Sequence, residues 1–152
     1  MKRVLVAGVG NIFFGDDGFG VEVARRLAGR LPPRARVADF GIRAIHLAYE
    51  LLTPLDLLIV VDCMSRGERP GTLYLVEPSS EPSAEIGNAH AMDVELVWAT
   101  VRRLGGTLPS RLIVGCEPAC LDPGIGLSEC VAHVVPTAID LVNELISQQE
   151  AS

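Results

Sequence analysis

No Cys-x-x-Cys pair occurs in this chain, although it holds four cysteines, Cys63, Cys116, Cys120 and Cys130. That removes the usual zinc-ribbon and dithiol redox motifs. No Gly-x-Ser-x-Gly elbow is present, and no histidine is placed to suggest a Cys–His dyad, so a covalent hydrolase is disfavoured. Positive charge is scarce: 13 Lys and Arg stand against 19 Asp and Glu, for a net charge of −6. Nucleic acid and anionic membrane are therefore poor candidates for partners. No run of apolar residues approaches the ~20 of a membrane span. Lys2-Arg3 ahead of Val4–Ala7 has the look of a signal peptide, but Gly8, Gly10, Asn11 and an aspartate pair cut the run short. Without a secretory signal, the cysteines read as reduced thiols in a cytoplasmic protein. Internal repeats and low-complexity tails are lacking as well.

What remains is one compact α/β domain, residues 1–152, organised around Val4–Gly20, VLVAGVGNIFFGDDGFG. Val4–Ala7 is an unalternating apolar run, as in a strand covered on both faces. Gly8, Gly10 and Asn11 then suit tight backbone turns. Asp16 and Asp17 follow, bracketed by Gly15 and Gly18 and leading into a helix. Acids in a Gly-rich first loop want a cation rather than a phosphate.

The rest of the chain continues strand–helix–strand. Strands are expected at Arg3–Gly8, Arg36–Asp39, Leu57–Val61, Thr72–Val76 and Arg111–Gly115. Helices are expected after Gly20 as far as Pro32-Pro33, over Arg43–Leu52 with Ala44, Ile45, Ala48, Leu51 and Leu52 facing inward, and from Val94 to Leu104. Ser128 is read as the cap of a short helix through Val135, and Pro136 as the first turn of the last helix. The fold class is three-layer α/β: a five-stranded, mostly parallel twisted sheet with helices on both faces. The link Cys63–Gly71 is short for a crossover, so the fourth strand is expected to run antiparallel at an edge.

In such sheets ligands bind beyond the carboxyl ends of the strands. Asp17 and Asp62 lie there, and the loop after Glu77 is long enough to bring His90 to the same rim. Two carboxylates and an imidazole suit a borderline divalent ion such as zinc or nickel, with positions left open for a substrate. Each also has a plainer reading: Asp17 as a turn acid or helix cap, Asp62 as a strand-end acid, His90 as a surface residue at a helix start. Asp16 shapes the turn or supports its neighbour. His46 and Glu50 read as a solvated pair on one helix face, and Cys63, Cys116 and Cys120 as buried structural cysteines. The rival to a metal site is dinucleotide binding, with Gly8-Val9-Gly10 and Asp39 in the expected places. Its third glycine is misplaced, and the aspartate pair would repel a pyrophosphate.

On these motifs the chain resembles the nickel–iron hydrogenase maturation endopeptidases. The likeness rests on GVGNIFFGDDGFG at Gly8–Gly20, VVDCM at Val60–Met64, NAHAMD around His90, and Ile125-Gly126-Leu127. It implies a C-terminal processing protease, nominally aspartic-type, whose partner is the precursor of a hydrogenase large subunit. The family's metal-contacting residues map onto Asp17, Asp62 and His90, with nickel supplied by the precursor and other divalent cations able to take its place. The first of them is Glu in some members and Asp here, one methylene shorter. Several members carry Asp-Gly-Gly-Thr after the second strand, where this chain has Asp39-Phe40-Gly41-Ile42-Arg43. Gly41, Ile42 and Arg43 are accordingly expected to help select the precursor. Two other readings stay open at this point: a maturation chaperone that binds nickel or the precursor without cutting, and a nucleotide-binding regulator.

Overall fold

The computed structural model describes residues 2–78 and 94–151. Five strands, β1 (Val4–Val9), β2 (Ala35–Gly41), β3 (Leu57–Cys63), β4 (Leu73–Val76) and β5 (Ser110–Cys116), form one sheet in the order β2-β1-β3-β5-β4. The first four neighbours in that order are parallel, and β4 pairs antiparallel with β5 at the edge. The order follows from the chain: short βα links give parallel neighbours, whereas the β3–β4 link is too short to cross over.

Successive residues of β1 and β3 feed opposite faces. Val4, Val6, Leu57, Ile59 and Val61 pack with Phe19, Val23 and Leu27 of α1 (Phe19–Leu27) and with Val135, Ala138 and Val142 of α4 (Glu129–Ala151). Leu5, Ala7, Val9, Leu58 and Val60 pack with Leu47 and Ala48 of α2 (Ala44–Glu50) and with Val97, Trp98 and Val101 of α3 (Val94–Arg103). Burial on both faces explains why these strands show no polar alternation.

Three expectations need correction. Ile45 and Leu52 are exposed, and Leu47 is buried in their stead, while Ala48 and Leu51 face inward as expected. Ser128 stands just before the last helix, as a cap should, but Pro136 does not open a separate one. That helix runs for 23 residues with Pro136 inside it. The proline removes one N–H from the helix ladder. The helix nonetheless continues, because Val131, Val135, Ala138, Val142 and Ile146 lie on one buried stripe that spans the proline. As a result Glu129–Gln149 is long and apolar enough to cross a membrane by length and composition. A reading that cuts the segment at Pro136 misses this. Here its apolar stripe is covered by the sheet.

Candidate active site

The rim of the site is built from the first loop. Gly10 adopts φ +130°, and a Cβ there would lie 1.9 Å from the Asp17 carbonyl oxygen. Only glycine allows the loop to close this tightly on the 3-10 turn Gly15–Gly18 that carries both aspartates. Gly10 N–H donates to the Gly41 carbonyl at 2.9 Å, which ties the loop to the end of β2. Asn11 supplies the next link. Its backbone N–H donates to Asp17 Oδ2 at 2.8 Å, and its side-chain oxygen accepts from Phe13 N–H at 2.9 Å.

Asp17 and Asp62 meet at this rim. Asp17 is fully buried, and Asp62 is buried within the last residues of β3, one past the partner of Gly8. Asp62 Oδ1 accepts from Cys63 N–H at 2.7 Å. Burial, and then the negative charge of Asp17, hold the Asp62 carboxyl well above the usual range, and the Cys63 bond offsets them only in part. Burial and the same two acids push the Cys63 thiol up as well. A shared proton or a cation between two buried carboxylates would relieve such repulsion.

Asp16 points elsewhere. Its carboxylate accepts from Ala119 N–H at 2.8 Å, Cys120 N–H at 2.9 Å and Ser128 N–H at 2.7 Å, and from the Ser128 hydroxyl. It therefore clamps both ends of the loop that follows β5. Asp16 is thus an architectural residue, and the Ser128 hydroxyl, one position before α4, is turned to it. A second carboxylate, Glu117, does the same for the β3–β4 link: its Oε1 accepts from Arg66 N–H at 2.8 Å, Glu68 N–H at 3.2 Å and Tyr74 Oη–H at 2.5 Å. Burial acts to raise the Glu117 carboxyl, but these donors outweigh it and hold it low. Neither anchor has a local signature in sequence, since their partners lie far away along the chain.

His90 lies outside the described residues. Among the described residues, no three His, Cys, Asp or Glu side chains converge to hold an ion. Ile42 is 60% exposed at the rim. Arg43 Nε donates to the Phe40 carbonyl at 3.1 Å, and its terminal nitrogen donates to the Asp39 carbonyl, so the guanidinium shapes the loop after β2. Glu50 pairs with Arg36 at 2.5 Å and not with His46. Cys63 and Cys116 are buried, but Cys120 is exposed, contrary to the sequence reading.

A family model described as hydrogenase maturation protease matches residues 21–145. The hydrogenase expression/formation protein HupD of Rhodobacter capsulatus is 36% identical, over 95% of this chain and 71% of its own length. The hydrogenase maturating endopeptidase HybD from Escherichia coli superposes with a TM-score of 0.85 at 26% identity, over 97% of this chain and 93% of that one. The hydrogenase 2 maturation peptidase from a Thaumarchaeota archaeon does so with a TM-score of 0.72 at 31% identity, over 95% and 98%. The dinucleotide and pure-chaperone readings lose their ground against these matches. By the family model and by these relatives, this chain belongs to the hydrogenase maturation protease family.

Proposed function

We propose that this protein removes the C-terminal extension from the nickel-loaded precursor of a nickel–iron hydrogenase large subunit. The observation that carries this reading is the buried pair Asp17 and Asp62, where burial and then the Asp17 charge hold the Asp62 carboxyl high; a cation bound there would relieve both. Nickel arrives as part of the substrate, held by the precursor. Asp17 and Asp62 offer oxygen ligands from the protease side, and His90 supplies the imidazole, a donor set suited to a borderline ion. Such an ion brings Lewis acidity to the carbonyl beside it. The chain itself fixes the carboxylates: Asn11 N–H holds Asp17, and Cys63 N–H holds Asp62. An immature precursor without nickel leaves the acid pair unrelieved, and so docks poorly. This ties cleavage to completed metal insertion.

Gly41, Ile42 and Arg43 are assigned to choosing the precursor. Gly41 has φ +55° and makes the turn, Arg43 braces it through two carbonyls, and Ile42 stands out to meet the partner. The test is to replace Asp17, Asp62 and His90 singly by Ala and to weigh the precursor after incubation with and without nickel. Loss of processing in all three is expected. Full processing by the Asp17 and His90 variants removes the metal-reading mechanism.

A further inference from the structure

Beside the acid pair, the first loop and the loop after β5 are sewn together. Gly124 N–H donates to the Phe13 carbonyl at 2.8 Å, Gly15 N–H donates to the Gly124 carbonyl at 2.9 Å, and Phe14 and Gly124 form a parallel bridge. The Asp16 carboxylate holds Ala119, Cys120 and Ser128 on either side of this seam. The result is a double-layered lip. Two large apolar side chains project from it into solvent: Phe13, 60% exposed, and Ile125, 77% exposed. The lip connects directly to the site, because Asn11 donates its N–H to Asp17 and accepts from Phe13.

We infer that this lip is one wall of the peptide-binding cleft, and that Phe13 and Ile125 grip an apolar side chain of the precursor next to the scissile bond. The inference deepens, and rests on, the reading of the site as a precursor-processing protease. An exposed Phe and Ile on a floppy loop would order at a cost on binding; on a seam held by this many hydrogen bonds that cost is already met during folding. The occupant is an extended peptide segment. An endopeptidase must lay a chain across its reacting groups, and the lip stands beside them, carrying apolar side chains and no charge at Phe13 or Ile125.

The experiment compares wild type with Phe13→Ser, Ile125→Ser and Ile125→Leu, using the full chain and nickel-loaded precursor. Circular dichroism and the melting midpoint confirm that each variant folds. The serine variants are expected to raise KM about tenfold each, the loss of one buried aliphatic or aromatic contact, with kcat little changed and Ile125→Leu close to wild type. Unchanged KM in both serine variants overturns the lip, as does an Ile125→Leu variant no better than Ile125→Ser. The underlying reading fails separately, by wild type leaving the precursor uncut. In that event the lip is judged by fluorescence anisotropy of a labelled peptide copied from the precursor's C-terminal segment. Weaker binding to the serine variants supports it, and equal binding overturns it.

Discussion

Asp16 and Asp17 are adjacent in sequence and both buried, yet they live in opposite worlds. Asp16 is met by N–H and O–H groups that this chain supplies, and Glu117 repeats the pattern for the β3–β4 link. Asp17 accepts the Asn11 N–H, but its charge also adds to burial in holding the Asp62 carboxyl high. A buried carboxylate met by main-chain donors holds structure together. One met by a second carboxylate is an invitation to something from outside. Burial alone does not separate the two classes; the sign of the neighbours does.

The largest expected effect tests the facing pair. Asp17→Ala or Asp62→Ala is expected to cut precursor processing by about a hundredfold or more, measured by mass of the product. Asp62→Asn keeps the acceptor for Cys63 N–H and removes the like charge, so its melting midpoint is expected to hold or rise while activity is lost. A lower midpoint would place Asp62 among the anchors.

Asp16→Ala is the converse. It leaves three main-chain N–H groups without their acceptor and should destabilise the fold by about 3–5 kcal/mol, seen as a fall of about 10 °C in the melting midpoint. Glu117→Gln keeps the oxygen but loses its charge, for about 1–2 kcal/mol. Because the folded Glu117 carboxyl sits below its ordinary value, its charge contributes above the unfolded pKa of about 4.3 and is lost as pH falls through the folded value. The stability gap between wild type and Glu117→Gln should therefore close on acidification from neutral pH, measured by urea denaturation. Glu50→Gln marks the small end of the scale. Its partner Arg36 is exposed, so a change within about 0.5 kcal/mol is expected.

Much of this was legible before any coordinates. Apolar runs without alternation announced a sheet covered on both sides, and the short link after Cys63 announced the antiparallel edge. Asp62 stood out because it ends an apolar strand where a charge is costly, and Asp17 because it is an acid in a Gly-rich first loop. What could not be read was tertiary. Asp16 meets Ser128 across 112 residues, and nothing near either one signals it. Pro136 carries a strong local meaning that the buried stripe of α4 overrides. Ile45 fits an inward pattern as well as Leu47 does, and only the neighbouring α3 decides between them.

The contact between Gly20 and the strands beneath it has a wider consequence. A methyl group on Gly20 would stand 2.0 Å from the Val61 carbonyl oxygen and 2.5 Å from that of Val9, so α1 is seated on bare main chain. That seat fixes the height of the turn bearing Asp17 relative to the strand bearing Asp62. The gauge between the two acids is thus set by a joint that tolerates no added atom.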